Sequence, residues 1–444
     1  MKYSNNRIIP SGVSKSSLEE SLGIIVDFFT EEWLNEKGEH PLKKLWERND
    51  VIATTELFTF GRSILSIKDL DKNWIKKSVR RIKEGNANNV IGYVFEIIAA
   101  AMINKGENQE LTLPPSDNPA IDLIVNLDDG SKVNISCKKY GLSDREKFFN
   151  RNAEELEDLF IKICKKYGKN RIQCIIQSRK HVEEKEWHIL KSEIEFMIAS
   201  FNGEDLHYIC ADTWYVAVVP LLEGKIKFAD GFLTYTFMVI SPHYKFERDR
   251  LYKKLEKACH DLDKCQIKQD ENEINIVFVH LPEAASLNAC YKWGQEFLEE
   301  NLDKPVASIF FIQNVIVRKD KKNFILVNVQ TPVNSHYELW EGKGLPKRVL
   351  QLKVIIAGQI GGAKRQASLM NCGVKVPSDA SYFDERYIYQ KGKHYIEFKC
   401  EEDTIKVRAE HFASGIHEYA VVVEEKRKVL IAPPFSPDDK LILI

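Results

Sequence analysis

Residues 121–138 constrain the fold more than any other stretch of the chain. Ile121 to Leu127 reads as a strand, Asp128-Asp129-Gly130 as a hairpin turn, and Lys132 to Lys138 as the returning strand. Alternation of apolar and polar residues has the period of a pleated strand, and an Asp-Gly turn joins two such strands antiparallel. Parity then puts Val133, Ile135 and Cys137 on one face and Asn134, Ser136 and Lys138 on the other. Ser136 and Lys138 therefore point the same way, with Asp122 at the start of the partner strand.

Upstream, Val90 to Ile103 is a strongly apolar helix with Glu96 in its middle, between Phe95 and Ile97-Ile98. A lone acid seldom chooses such company without a partner or a metal. The alternative is a Glu on a single exposed stripe or paired with a lysine. A helix acid, a strand acid and a lysine on the partner strand form a set suited to hydrolysing a phosphodiester with a divalent metal. Carboxylates hold a hard cation, and a positive group neutralises developing charge. The bland reading of Asp122 and Lys138 is an ion pair across the hairpin. Asp117 is a second candidate acid, though a loop before Pro119 suits it better.

Around this stretch, a Ser17-x-x-Glu20 capping box predicts a helix carrying Leu22, Ile25 and Phe29. Asp71 is placed to cap another, Trp74 to Lys83. In that helix Trp74, Ile75, Val79 and Ile82 interleave with Lys76, Lys77, Arg80, Arg81 and Lys83, as a solvated face or as a phosphate-contacting one. After residue 138 come a helix, Ala153 to Tyr167, and a strand, Ile172 to Gln177. Farther on lie a charged helix from Tyr244 to Asp263 and a strand–helix–strand–strand run from Ile274 to Val329. This run is a second domain or an extension of the first sheet. Beyond residue 335 short strands dominate, with a Gly-rich turn at 358–362 followed by Lys364 and Arg365, which with Lys347-Arg348 could form a DNA-facing patch. That turn lacks the Gly-Lys-Ser/Thr ending of a nucleotide-binding loop.

The element order helix–strand–strand–strand–helix–strand, with Glu96, Asp122 and Ser136-x-Lys138, resembles the PD-(D/E)xK, or restriction-endonuclease-like, nucleases. Gly92, four residues before Glu96, is similar to the helix of resolvase-type members. The resemblance spans residues 85–180. It implies a mixed sheet flanked by helices and a metal-dependent nuclease cutting DNA, or less often RNA, with Mg2+ or Mn2+. Asp122 and Glu96 would be metal ligands, and Lys138 would orient the attacking water. Lys139, Lys76, Lys77, Arg80, Arg81, Lys364 and Arg365 are candidates for nucleic-acid contact. One departure stands out, because Ser136 occupies the place of the family's second acid. A role in restriction or antiviral defence, a homodimer, and a protein partner or trigger are further implications. The alternative is a non-catalytic nucleic-acid-binding or assembly module on the same fold.

Length and composition agree with an α/β protein of several domains. At 444 residues, 44% hydrophobic and 29% charged, the chain can bury real cores. The expected divisions are a helical N-terminal region over 1–84, the nuclease-like core over 85–180, an α/β portion over 181–335 and a β-rich portion over 336–444. A net charge of -1 excludes a uniformly basic nucleic-acid binder, so any such contact needs local patches. Nine irregularly spaced cysteines without a Cys-x-x-Cys pair read as reduced thiols. The polar N-terminus and the lack of a membrane-length apolar run point to a cytoplasmic protein without a membrane partner. His280, at a strand end, reads as structural.

Overall fold

The computed structural model describes residues 3–335 except 11–12, 50, 105–108, 115–120, 142, 179, 222–232, 234, 243–245, 265–272, 283–284, 303, 305 and 320–321. Beyond these it describes the backbone of seven short strands up to residue 432. Asp117, Lys347, Arg348, the 358–362 turn, Lys364 and Arg365 fall outside the described residues. The protein is mixed α/β and divides into two compact units.

The first unit comprises Met1–Gly141, Arg248–Asp384 and Leu441–Ile444. It opens with helices α1 (Lys15–Phe29), α2 (Glu31–Asn35), α3 (Pro41–Glu47), α4 (Val51–Ile67) and α5 (Lys72–Glu84). Ser14 caps α1 by accepting the Ser17 N–H, so the helix starts earlier than the Ser17 capping box predicts. The acid of that expected box, Glu20, and its neighbour Glu19 are drawn elsewhere. Glu19 accepts from the Tyr3 and Ser4 N–H groups, and Glu20 pairs with Arg62. Gly61 lets α4 approach α1 closely, because a Cβ there would collide with the Ser21 carbonyl. Asp71 caps α5 as expected, accepting from Asn73 and Trp74.

The next helix, α6 (Ala87–Asn104), lies against β1 (Gln109–Thr112), β2 (Leu123–Leu127) and β3 (Lys132–Lys139). These three strands form an antiparallel meander. Gly130, at a φ of 81°, makes the β2–β3 turn that the sequence requires. The chain then leaves for the second unit through α7 (Asp144–Lys166), β4 (Ile172–Ser178), α8 (Glu184–Ala199), β5 (Leu206–Cys210), β6 (Trp214–Pro220) and β7 (Tyr235–Pro242). It returns as α9 (Glu247–Asp263), β8 (Glu273–Leu281), α10 (Leu287–Glu300), β9 (Ser308–Lys319) and β10 (Lys322–Gln330).

The six-stranded sheet has the order β1-β2-β3-β8-β9-β10, with β3, β8 and β9 mutually parallel. The 274–329 run thus extends the hairpin sheet. Conversely, α7 and β4 exist where the sequence predicts them but belong to the other unit, and β8 takes the place beside β3. The strands β3 and β8 are buried on both faces, which explains the near-continuous apolar run of β8, while β3 alternates apolar residues with buried Asn134 and Ser136. On one face Ser136 pairs with Val277 and Lys138 with Val279, over the core formed with α9 and α10. On the other, the His280 ring packs 5.2 Å from that of Phe95 on α6, a structural position.

The second unit comprises Leu142–Glu247 and Glu385–Lys440. Its five-stranded sheet runs β17-β7-β4-β6-β5, with β17 at Val429–Ala432, and the unit also holds β13 (Arg386–Lys391), β14 (His394–Glu401), β15 (Thr404–His411) and β16 (Gly415–Val422); β11 (Gln351–Lys353) and β12 (Gln366–Ser368) pair with each other within the first unit's residues. The strands β13–β16 form a separate four-stranded meander. The helices α7 and α8 cover the sheet through a core centred on Trp187 and Trp214, whose rings meet at 4.8 Å. Six described cysteines (137, 164, 174, 210, 259 and 290) are buried and form no disulfide. Among the described residues no helix is long and apolar enough to cross a membrane.

Candidate functional site

Three elements of the first unit bring Glu96, Asp122, Ser136 and Lys138 together. Glu96 is carried to the sheet by the apolar helix α6 and is only 7% exposed. Asp122 sits one residue before β2, fixed because its N–H donates to the Ile135 carbonyl at 2.9 Å. Its Oδ2 accepts the Cys137 N–H at 2.6 Å and, at the long limit, the Ser136 hydroxyl at 3.5 Å. The strand next door thus holds the Asp122 carboxylate by its backbone. Ser136 is fully buried and serves Asp122, which is a different duty from that of a second acid.

Lys138 points from the same face as Ser136, as parity predicts, and its ammonium meets Asp261 of α9 at 3.3 Å. Asp261, not Asp122, is its ion-pair partner. Sequence reasoning missed Asp261 because α9 is charged along most of its length. The one available signal is its i+7 spacing from Lys254 on a helix whose apolar stripe is clear.

The electrostatics are strained. Burial pushes the Glu96 carboxyl up to about 8, and the neighbouring Asp122 charge adds to the rise. Arg81 opposes it from 3.0 Å without cancelling it. Burial also raises Asp122, while Lys138 and the Cys137 N–H pull it down. Two acids in one desolvated place cannot both ionise cheaply unless a cation joins them. By register Cys137 shares the His280 face, opposite Lys138, and is buried; desolvation raises its thiol well above the ordinary value and the nearby Asp122 and Glu96 charges add to the rise, so it is inert as a nucleophile.

The expected basic helix divides its labour. Lys76, Lys77 and Arg80 on α5 are exposed, and Arg80 pairs with Glu84 at 2.9 Å. Arg81 instead turns inward, stacks 4.0 Å over the Tyr93 ring and reaches Glu96. Lys139 is half-buried, and register sets it beside His280 on the face opposite Lys138.

Among the described residues no group of three His, Cys, Asp or Glu is placed to hold a metal ion. Glu96 and Asp122 would offer only oxygen donors, the ligand type of magnesium, which is commonly bound through one or two carboxylates with water and substrate phosphate completing its shell. No protein-family model, curated protein or solved structure matches this chain.

Proposed function

We propose that the chain is a divalent-metal-dependent nuclease of the restriction-endonuclease-like kind, cutting phosphodiester bonds of DNA. The observation that carries this reading is the Glu96–Asp122 pair. Two carboxyls are forced into one buried place, Glu96 is raised to about 8, and a lysine stands on the adjacent strand. Structural acids are normally exposed or neutralised, so perturbed acids gathered at one end of a sheet mark a functional site. The order α6-β1-β2-β3-α9-β8 supports the reading further. It has the helix–strand–strand–strand–helix–strand form with β8 parallel to β3, and the second unit is inserted before α9.

Glu96 and Asp122 would hold the metal, whose charge when bound favours an attacking hydroxide and stabilises the leaving oxygen. The chain's own groups do the rest. The Cys137 N–H fixes the Asp122 rotamer. Asp261 holds the Lys138 ammonium, which can orient a water for in-line attack and screen charge growing on the phosphate. Glu96, protonated when buried alone, would hold a bound cation as its carboxylate, the cation then supplying the neutralisation that the proton supplies without it.

The alternative, a binding module without cutting, is favoured by one observation. Ser136 supplies no charge, and Arg81 already neutralises part of Glu96. Cleavage of supercoiled plasmid, linear duplex, single strands and RNA in magnesium or manganese separates the two. Asp122→Ala and Lys138→Ala should each lower cleavage by about 10²- to 10⁴-fold, and EDTA should abolish it. Cleavage that survives both substitutions would sink this assignment.

A further inference from the structure

The α9 helix carries a second pattern that the site above does not use. Its apolar stripe, Leu251, Leu255, Ala258 and Leu262, is buried in the core beneath the sheet. One residue earlier at each step lies another stripe with the same spacing: Arg250, Lys254, Lys257 and Asp261. Residues spaced i, i+4, i+7 and i+11 line one face, so this charged stripe runs along the margin of the buried one. Asp261 ends it at Lys138. At the other end Arg250 lies 4.2 Å over the Tyr140 ring and donates to the Gly141 carbonyl at 2.7 Å.

Between these anchors the charge is one-sided. Lys254 is half-buried, and burial depresses its ammonium; Arg250, Lys138 and Lys257 depress it further. Neither Lys254 nor Lys257 has an ion pair among the described residues, although acids are plentiful in α9. Like charges one helical turn apart destabilise the helix, and partial burial makes the arrangement worse. Such a row is stabilised by a polyanion lying along it. From Arg250 to Lys257 the stripe covers about 10 Å of helix, roughly three base-pair rises of about 3.4 Å along a duplex axis.

We infer that Arg250, Lys254 and Lys257 form a track for the phosphate backbone of a nucleic-acid strand, leading it to Asp122 and Lys138. The inference rests on the nuclease reading and names which surface of the first unit holds the substrate. Contacts of this type position the strand without reading its sequence, so the track predicts affinity that depends on salt and not on base order.

The test is fluorescence anisotropy of a labelled duplex and a labelled single strand in EDTA, with salt varied, alongside cleavage in magnesium. The proteins are wild type, Asp122→Ala, Lys254→Met/Lys257→Met and Lys254→Arg/Lys257→Arg. Methionine keeps an apolar stem against the helix, and an unchanged melting temperature checks the fold. The Met pair should bind about 10- to 100-fold more weakly at 0.1 M salt, with the duplex salt slope shallower by roughly two. The Arg pair should restore both, and Asp122→Ala should bind like wild type while failing to cut. Unchanged affinity and slope in the Met pair, with cleavage intact in wild type, would overturn the track and leave the nuclease standing. A wild type that neither binds nor cuts would overturn both. Displacement of the duplex by poly-glutamate at equal charge would reassign the stripe to an acidic protein and overturn the inference.

Discussion

The two units solve the same problem, burying a sheet under helices, with opposite treatment of charge. Among the described residues of the second unit the core cluster under the sheet is apolar, and several of its acids are held in ion pairs or helix caps. Lys166 meets Glu195 at 2.6 Å, Lys191 meets Glu155 at 2.6 Å, and Glu186 closes a capping box with Glu183. Its buried thiols, such as Cys164 raised to about 12, stay neutral at physiological pH. In the first unit the sheet carries Asp122 and Lys138 beside Glu96 of α6, buried or half-buried, with the Asp122 charge raising Glu96. Folding gains nothing from that arrangement. On the proposed reading, the difference separates what the chain keeps for stability from what it keeps for chemistry.

The largest test of the comparison lies in the apolar core. Trp187 is 1% exposed and touches Phe149 and Trp214. Trp187→Ala should cost about 3–5 kcal/mol, read as earlier hydrogen exchange in β4, β6 and β7. The cost should be equal at pH 6.5 and pH 8, because the removed contacts carry no titrating group. A pH-dependent loss would show that the second unit hides strained charge as well.

The first unit should behave differently over that same window. Glu96 has its folded pKa raised from 4.5 to about 8, so between these values the folded state binds a proton that the unfolded chain has released. Stability is then full below pH 4.5 and falls as pH rises toward 8, by about 2 kcal/mol from pH 6.5 to pH 8. Exchange at the β3 amides, corrected for intrinsic rate, reads it directly. Glu96→Gln should flatten the slope, while magnesium should restore protection at pH 8 in wild type but much less in Glu96→Gln. A flat wild-type profile would place Glu96 as an ordinary ionised partner of Arg81.

Part of this was legible in the sequence, for physical reasons that particular residues make plain. The period of two set Ser136 and Lys138 on one face, and Asp-Gly set the hairpin; both are local rules that tertiary context did not override. Glu96 stood out because its neighbours are apolar. The partner of β3 was not legible. The strand β4 carries as good a local pattern as β8, and the chain's departure after Gly141 leaves no periodic signature. Asp261 was hidden for the same reason, because its place beside Lys138 exists only once α9 returns across the sheet. Arg81 was legible as a cation but not as the partner of Glu96, fifteen positions away.

The smallest effect sharpens the contrast most. Ala211 and Asp212, in the β5–β6 turn closed by the Thr213 N–H to the Cys210 carbonyl, have φ values of 51° and 53°. A left-handed conformation costs a residue with a Cβ about 1–2 kcal/mol, and glycine gives back part of the relief through greater unfolded-state freedom. Ala211→Gly should therefore stabilise the second unit by less than about 1 kcal/mol, measured as a small rise in the denaturant midpoint. Cleavage should not change, since the strain there is local backbone strain. Glu96→Gln also relaxes strain and should also stabilise at pH 8, yet it removes a proposed metal ligand and should abolish cutting. Two stabilising substitutions with opposite consequences for activity would locate the function in the charge the first unit tolerates. Equal activity in both would return Glu96 to the role of a buried structural acid.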